Sequence, residues 1–432
     1  VLSILVVGVA GGNDQVLVLF YAVAVFLSFL AGLAAMTRFA WRERRLGSLA
    51  LNGVGTLVVA FTLVVNLGRV YPLVSLAAAL VAPDAGPVRV PVFVAVGKQG
   101  RRAISCDDGV TWSHDESFDE AWPEADRFRC FTGAGTDCDH NAWSSTSLEH
   151  HDGVFIHTLG WGAPGTFYRS TNGITWEHVF TGRNVQDVMF GEGRWVAATR
   201  SSVRSDDDGK TWIDNGTIDV AMDGNTIWNV RAGTYGDGTF LVSAGDGANI
   251  DFAYSRDRGA TWAHATQPDG SSIAACGAAA PVEGNGVFVT LRNDAAGTTI
   301  CRSTDSGRTW TVTTDSNMHV DTAPLWTGSE FMAWETGRVY RSADGATWTG
   351  ADTQTRFEGA LSRGPTIGPI AMSSSGTFVS VRGGWQTWYE QQRFYRSTDG
   401  VVWEQLPDAA YEKGHPMTEI IFGLAETSSV CR

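Results

Sequence analysis

Three arginines and one glutamate have the residue types that a site for a carboxylate ligand needs. Arg292 and Arg382 each end a strand-like run, and Arg200 lies just past the equivalent place in a third run. Glu335 ends a fourth run. Guanidinium groups bind carboxylates through two parallel hydrogen bonds, but no motif supplies the paired carboxyl groups of glycoside hydrolysis. The sequence therefore favours a domain without catalytic residues, with a sugar-cleaving hydrolase as the alternative.

A second group of residues has the side chains that ligate metals. Asp137, Asp139 and His140 lie close together, and His150 and His151 follow. Their spacing matches no recognised metal motif. Aspartates commonly cap turns, so we expect turn-capping Asp and surface His here, with no metal site and no cofactor.

Aromatic side chains form a third group with binding chemistry. Five of them fall between predicted strands: Trp122, Trp161, Trp385, Trp388 and Tyr389. Exposed aromatic residues are typical of surfaces that bind protein or carbohydrate. The alternative is that each ring covers its own sheet. The choice between the two depends on the elements that carry these loops.

A repeated phrase, S-x-D-x-G-x-T-W, organises the chain from residue 92 to its end. Seven copies occur, and three of them lack one residue. The full-length copies are Ser105–Trp112, Ser205–Trp212, Ser255–Trp262 and Ser303–Trp310, and the shorter ones are Ser170–Trp176, Ser342–Trp348 and Ser397–Trp403. The irregular spacing of the copies indicates loop insertions on a fixed structural unit.

The surroundings of each copy predict four strands. A strand ending in Tyr-Arg-Ser or a relative of it precedes the phrase, a strand with an aromatic start precedes that one, and a short run of apolar or small residues comes before both. The Thr-Trp pair opens a fourth strand. Four antiparallel strands repeated radially are the blades of a β-propeller, so the sequence predicts an all-β propeller of seven blades. The first unit lacks its innermost strand, and residues 418–423 are predicted to supply it and close the ring.

The phrase itself is predicted to fasten the hairpin between the third and fourth strands. The acidic side chain accepts hydrogen bonds from its own turn, the glycine supplies a positive φ, and the tryptophan packs on neighbouring strands. The residues assigned to this structural role are Asp107, Asn172, Asp207, Asp257, Asp305, Asp344, Asp399, Trp112, Trp176, Trp212, Trp262, Trp310, Trp348 and Trp403.

Over residues 92–432 these copies resemble the BNR or Asp-box repeats. The resemblance implies the propeller fold shared by sialidases, some glucanases, sortilin-like receptors and photosystem assembly factors, and it specifies no chemistry. The Arg-Ile-Pro motif that opens sialidase propellers is missing, since the corresponding start reads Val88-Arg89-Val90-Pro91-Val92. Strand polarity puts the aromatic loops on the face opposite the repeated turns, where we expect a protein or carbohydrate ligand.

The cysteines predict disulfides in a domain outside the cytoplasm. The candidates are Cys106, Cys130, Cys138 and Cys431. Cys130 and Cys138 are predicted to staple one long loop, and a bond between Cys106 and Cys431 would lock the ring. Cys276 and Cys301 are assigned to the first and third strands of one blade, which predicts a separation too large for a simple bridge.

The first 90 residues differ from the rest in charge and polarity. The chain carries a net charge of −14; six Arg and three acidic residues precede residue 91, so the first part carries +3 and the remainder −17. An acidic domain repels nucleic acid, and none is expected as a partner. Uncharged runs at 16–36 and 46–67 are long enough to span a bilayer as helices. The basic loop between them is expected in the cytoplasm, which places the acidic domain on the periplasmic or extracellular side.

The runs Phe20–Phe29 and Leu49–Gly55, on either side of the basic loop, resemble a late helical hairpin of amino acid–polyamine–organocation permeases. The resemblance covers 16–82 and implies a permease fragment fused to a regulatory propeller; a plain two-helix anchor is the simpler interpretation. We expect an apolar membrane segment at 1–82 that attaches the chain through residues 16–67, a linker at 83–91 and the propeller at 92–432. The favoured function is a non-catalytic binding or assembly module, with a sialidase-like or other glycoside hydrolase as the alternative.

Overall fold

The computed structural model divides the chain into two units, Val1–Pro87 and Val88–Arg432. In the first unit the structure describes residues 33, 35–38, 40, 48 and 52–57. In the second it describes residues 88–97, 100–116, 145–160, 165–182, 185–199, 201–217, 221–222, 225–226, 230–246, 249–273, 276, 280–382, 393–411, 417–426 and 431. The boundary between the units falls inside the predicted linker 83–91.

The described residues of the first unit are helical. The hydroxyl of Thr37 donates to the carbonyl of Leu33 at 2.7 Å, and that of Thr56 to the carbonyl of Asn52 at 2.7 Å. The two hydroxyls lie 3.2 Å apart and join the two segments. No helix within this described part is long and apolar enough to cross a membrane. Most of the predicted spans, 16–36 and 46–67, lie outside the described residues.

The described residues of the second unit form seven blades, each with four antiparallel strands, as the repeats predict. Blade 1 contains β1 (Arg89–Val96), β2 (Arg102–Ser105), β3 (Ser113–Glu116) and β32 (Glu419–Glu426); blade 2 contains β4 (Ser145–His151), β5 (Val154–Leu159), β6 (Thr166–Ser170) and β7 (Glu177–Thr181). Blade 3 contains β8 (Val185–Gly191), β9 (Arg194–Thr199), β10 (Ser201–Ser205) and β11 (Ile213–Thr217); blade 4 contains β14 (Val230–Gly236), β15 (Thr239–Asp246), β16 (Asn249–Ser255) and β17 (Ala263–His264). Blade 5 contains β18 (Val282–Gly284), β19 (Val287–Asp294), β20 (Gly297–Ser303) and β21 (Thr311–Asp315); blade 6 contains β22 (Leu325–Trp326), β23 (Phe331–Glu335), β24 (Arg338–Ser342) and β25 (Thr349–Asp352). Blade 7 contains β28 (Ile367–Met372), β29 (Phe378–Arg382), β30 (Phe394–Ser397) and β31 (Val402–Gln405).

In the described parts of the connections between blades there are two short hairpins and one 3₁₀ helix. The hairpins are β12 (Ala221–Met222) with β13 (Asn225–Thr226), and β26 (Gln354–Phe357) with β27 (Ala360–Arg363). A 3₁₀ helix covers Asp408–Ala410. The second hairpin extends blade 7, because β26 pairs in parallel with the outermost strand β31. Blade 7 is therefore part of a six-stranded sheet, which the repeat pattern does not predict.

The blades form a closed ring around a central channel. Their first strands pack against one another in the order β28, β32, β4, β8, β14, β18 and β22. Blades 6 and 7 share a core in which the indole of Trp334 donates to the carbonyl of Gly400 at 2.8 Å. The inner strands are packed between neighbouring blades, so they can be apolar on both sides, as in β5, where all six residues are buried.

The C-terminal strand closes the ring, which confirms the prediction for this segment. All eight residues of β1 pair with β32, from Arg89 opposite Glu426 to Val96 opposite Glu419. The strand is longer than the predicted 418–423. Pro91 lies inside β1, where the sequence predicts linker, and its register partner on β32 is Leu424. Since β2 pairs only with residues from Phe93 onward, Pro91 lies beyond that ladder, which is where a strand tolerates proline.

Each blade is fixed to its neighbour by the repeated turn. The aromatic residues that open the second strands are all buried: Phe93, Phe155, Trp195, Phe240, Phe288, Phe331 and Phe378. The glycine of a turn approaches the second strand of the preceding blade. At Gly345 the backbone has φ +72°, and a Cβ there would lie 2.4 Å from the side chain of Val289. Only glycine satisfies both requirements at this position.

Two disulfides link described residues. Cys106 and Cys431 are bonded, with their Cα atoms 5.4 Å apart, which ties the turn of blade 1 to the segment after β32. Cys276 and Cys301 are also bonded, at a Cα separation of 5.7 Å, so the prediction that they are too far apart is wrong. Cys276 is not on a first strand; it lies in the connection before β18, which folds over β20 into a shared core. Cys130 and Cys138 lie outside the described residues.

Candidate functional site

The seven repeated turns lie on one face of the ring, termed the turn face, and their acidic groups are occupied there. Asp305 accepts hydrogen bonds from the amide of Thr309 at 2.8 Å, from its hydroxyl at 2.8 Å and from the hydroxyl of Ser303 at 2.9 Å. Burial acts to raise the pKa of Asp305, but these bonds outweigh it and hold the pKa below its ordinary value. The indole of Trp310, which is fully buried, donates to the carbonyl of Gly307 at 2.9 Å.

In the shorter turns the Asp or Asn side chain is also hydrogen-bonded within its own turn, but by different donors. In them the side chain accepts two backbone amides: Asp344 binds those of Ala346 and Thr347, both at 2.9 Å, and Asn172 binds those of Ile174 and Thr175. A carboxylate whose acceptors are filled by its own turn has a structural role. The acceptors of the repeated acidic residues are thus engaged within their own turns.

The opposite face, termed the loop face, carries the connections between second and third strands and those between blades. Five aromatic residues predicted to bind ligand there, Trp122, Trp161, Trp385, Trp388 and Tyr389, lie outside the described residues, and so do Arg200 and the side chain of Arg382. The two remaining candidates are described. Arg292 lies on β19 opposite Thr299, and Glu335 ends β23.

Glu335 lines a cavity of about 550 Å³ on the loop face, termed the rim cavity. Charges of both signs surround it, because Arg338, Asp352 and Arg363 also lie on its walls. Arg338 and Asp352 are register partners on β24 and β25, and Arg363 donates to the carbonyl of Thr336 at 3.0 Å. Arg292 is not among the residues that line this cavity. The structure therefore does not bring the described candidates together as a carboxylate-binding cluster.

A tyrosine adjoins Glu335, which raises the question of a tyrosine nucleophile. The hydroxyl of Tyr340 donates to Glu335 at 3.2 Å. Burial raises the pKa of Tyr340, a hydrogen bond from the amide of His319 opposes the rise, and the negative charge of Glu335 adds to it. A nucleophile needs a lowered pKa or an accessible oxygen, and Tyr340 is 4% exposed. The Tyr340–Glu335 pair is thus a structural contact that holds the turn between β23 and β24.

A second cavity, of about 400 Å³, opens at the centre of the loop face and is termed the mouth cavity. Its walls are the loop-face ends of three first strands, β22, β28 and β32, and the residues just before them. Apolar side chains and two carboxyl groups, Asp321 and Glu419, line it. A hydrogen-bonded bridge separates it from the rim cavity: Thr336 donates its amide (2.9 Å) and its hydroxyl (3.1 Å) to Asp321, and its hydroxyl lies 2.8 Å from that of Thr366.

Carboxyl groups from three neighbouring first strands face the channel. Burial, followed by the negative charge of Asp187, raises the pKa of both Glu149 and Glu419 to about 8. Burial also raises the pKa of Asp187 to about 6, against the hydrogen bonds it accepts from Gly233 at 2.7 Å, Ser147 at 2.7 Å and Val188 at 2.9 Å. The described residues contain no group of three or more His, Cys, Asp or Glu side chains arranged to hold a metal ion.

The channel carboxyl groups and both cavities were not predicted. The sequence shows only that three first strands each carry an acidic residue, namely Glu149, Asp187 and Glu419. Their proximity cannot be predicted from the order of the residues in the sequence, because Glu419 joins blade 1 only when the C-terminal strand closes the ring.

Comparisons with known proteins give likeness in fold alone. Neither protein-family models nor curated sequences match the chain. Among solved structures, YCF48 from Cyanidioschyzon merolae is 12% identical, with a TM-score of 0.42 over 62% of this chain and 85% of that one. A quinonprotein alcohol dehydrogenase-like protein from Bacteroides thetaiotaomicron is 12% identical, with a TM-score of 0.49 over 76% of this chain and 77% of that one. YCF48 bound to D1 peptide is 14% identical, with a TM-score of 0.38 over 62% of this chain and 85% of that one. At these identities no functional residue is transferred.

Proposed function

We propose that the propeller is a non-catalytic binding module that holds an extended segment of a protein partner on its loop face. The single observation that carries this proposal is the edge of blade 7. All four residues of β27 are exposed, and no further described strand pairs with it. Such an edge presents free backbone donors and acceptors, which a bound peptide completes as an added strand.

The register of the hairpin identifies the available groups. Phe357 and Ala360 flank the two-residue turn and form its closing pair. In antiparallel pairing, alternate residues direct their N–H and C=O groups outward, so those of Leu361 and Arg363 point away from β26. Leu361 is 54% exposed, and both residues line the rim cavity. An added strand would therefore gain main-chain hydrogen bonds and an apolar contact together.

The contacts of Glu335 favour binding over hydrolysis. A retaining or inverting glycosidase needs two carboxyl groups with distinct roles, whereas Glu335 is engaged by Tyr340 and is accompanied in the rim cavity by Arg338 and Asp352. The repeated turns support their assignment as Asp-boxes with a structural role. These considerations leave recognition as the function of the loop face.

The same proposal places the propeller outside the cytoplasm and anchors it through residues 16–67. Two disulfides are typical of an oxidising compartment, and the basic loop between the apolar runs favours a cytoplasmic position for that loop. Retention of the chain in membranes after carbonate extraction tests the anchor. Release into the supernatant would contradict it.

A peptide-display selection against the full chain tests the binding function. Peptides selected by the native chain should bind the Leu361→Pro variant at least about tenfold more weakly, because proline removes the outward N–H and its hydrogen bond. Leu361→Ala is the matched control: it keeps the N–H and should weaken binding less. Equal binding to all three chains would refute the edge as the site. Hydrolysis of a sialoside or glucan that is lost in Arg292→Ala or Glu335→Gln would refute the non-catalytic assignment.

A further inference from the structure

The mouth cavity combines an apolar wall with one carboxyl group for which the described part of the chain supplies no hydrogen bond or ion pair. Leu325, Ile367, Ile370 and Met417 supply apolar surface around about 400 Å³, a volume within the usual range for small-molecule sites. Of the two carboxyl groups in the wall, Asp321 is held by two donors of Thr336. Glu419 receives no hydrogen bond and no ion pair from any described residue.

Among the described residues, the charges that act on Glu419 are of its own sign. Asp187 on β8 and Glu149 on β4 face the same channel, and Asp321 lies in the same cavity wall. The packed strand β28 carries no titratable side chain, and the one titratable group on β1, Arg89, lies at the far end opposite Glu426. A half-buried carboxyl group without a counter-ion costs free energy when it ionises. A bound cation would remove that cost.

We propose that the mouth cavity binds an organic cation, an ammonium or guanidinium group on an apolar stem, with the charge paired to Glu419. The apolar walls match the stem, as long basic side chains bury their methylenes and keep a polar head. A charge-assisted hydrogen bond is about twice as strong as a neutral one. The described residues offer no group of three metal-ligating side chains here, which favours an organic cation over a metal ion that requires several oxygen ligands.

This inference deepens the proposed function and rests on it only in taking the loop face as the binding face. A Lys or Arg side chain of the bound partner has the required chemistry. The bridge of Asp321, Thr336 and Thr366 lies between the mouth cavity and the rim cavity, so the two cavities are adjacent. One bound peptide can therefore contact both. The peptide selection and the cation titration have separate readouts, and either can fail while the other stands.

Protonation of Glu419 makes the site sensitive to pH. With its pKa raised to about 8, the carboxyl group is largely neutral at pH 6, and cation binding there must displace a proton. Affinity for a permanently charged guanidinium should rise about tenfold per pH unit between pH 6 and 7 and level off above pH 8. A site on an ordinary surface carboxylate would show no change in this range.

Calorimetric titration of the full chain with butylguanidinium, and with the neutral isostere butylurea, tests the proposal. At pH 8 the native chain should bind butylguanidinium at least tenfold more tightly than butylurea, and Glu419→Gln should abolish the difference. Glu404→Gln, which removes the same charge from an exposed position on β31, should leave both affinities unchanged. Titrations of the native chain at pH 6.5 in two buffers of different ionisation enthalpy measure the proton that Glu419 releases on binding, because the buffer takes up that proton with a different heat in each case.

Three results would overturn the inference. They are equal affinity for the two probes in the native chain, retained selectivity in Glu419→Gln, and binding without proton release at pH 6.5. Each is decisive without knowledge of the physiological partner.

Discussion

Removal of the Cys106–Cys431 disulfide should destabilise the propeller more than removal of Cys276–Cys301. The first bond spans 325 residues and joins the two ends of the propeller, whereas the second spans 25. Cross-linking lowers the entropy of the unfolded chain by an amount that grows with the logarithm of the loop length. At 25 °C the chain-entropy relation gives about 6 kcal/mol for the long loop and about 3.5 kcal/mol for the short one.

The assay must separate the bond from the packing of its sulfur atoms. Cys276 and Cys301 are buried in a core with Phe252 and Trp310, so replacing them also removes apolar contacts. We therefore compare the oxidised and reduced forms of two variants. Each variant keeps one of the two cysteine pairs, and both carry Cys130→Ser and Cys138→Ser. The difference in free energy of unfolding, measured by urea denaturation, should be larger for the Cys106–Cys431 chain by about 2 kcal/mol.

An equal or smaller effect of the long disulfide would refute the reasoning. It would mean that the ends of blade 1 stay together in the unfolded ensemble, or that the eight-residue pairing of β1 with β32 opens without loss of the other blades. Limited proteolysis of the reduced chain distinguishes these outcomes, because separate opening of blade 1 exposes β32 while blades 2 to 7 resist cleavage.

Two further predictions concern the turns and the channel. Gly345→Ala should destabilise the fold by more than about 1 kcal/mol, because it combines a positive φ with a 2.4 Å approach to Val289; Gly359→Ala, at a similar φ with nothing within 4 Å, should cost less. If both variants lower the midpoint of urea unfolding equally, the close approach to Val289 does not contribute to the loss of stability. The channel carboxyl groups have folded-state pKa values raised to about 8 for Glu149 and Glu419 and to about 6 for Asp187. Because the native state holds these protons more tightly than the unfolded state, their contribution is favourable at low pH and is lost as pH rises from about 5 to about 9. Glu149→Gln should flatten the melting temperature between pH 6 and 9, and an unchanged slope would contradict the assignment.

The sequence predicts the parts of the fold that depend on local, repeated chemistry. Seven copies of the same turn, each preceded by an aromatic residue such as Phe288, determine the number of blades and the position of each third and fourth strand. The closing strand is also predictable, since blade 1 lacks a first strand and residues 418–423 lack a sheet. These inferences need only the hydrophobic pattern and the turn residues.

The features of the loop face depend on contacts that no repeat encodes. Among the described hairpins, β26–β27 is the one that extends a blade, although its Arg356-Phe357-Glu358-Gly359 stretch has the Gly-containing turn of an ordinary hairpin. The Cys276–Cys301 bond depends on the path of an irregular connection. The proximity of Glu149, Asp187 and Glu419 depends on the closure of the whole ring, so it follows from tertiary structure alone.

The two sets of acidic residues described in this propeller differ in environment, and their pKa values shift in opposite directions. On the turn face, Asp305 and its equivalents have lowered pKa values because their own turns supply the hydrogen bonds. In the channel, Glu149 and Glu419 have raised pKa values because burial, followed by the negative charge of Asp187, disfavours their ionised forms. The first arrangement gains stability when the carboxylate forms, and it needs nothing further. In the channel, ionisation of the carboxyl groups destabilises the fold. Binding of a positively charged group there lowers the free energy of the ionised state. Strongly perturbed carboxyl groups beside a cavity are characteristic of functional sites, and here they point to the mouth of the channel.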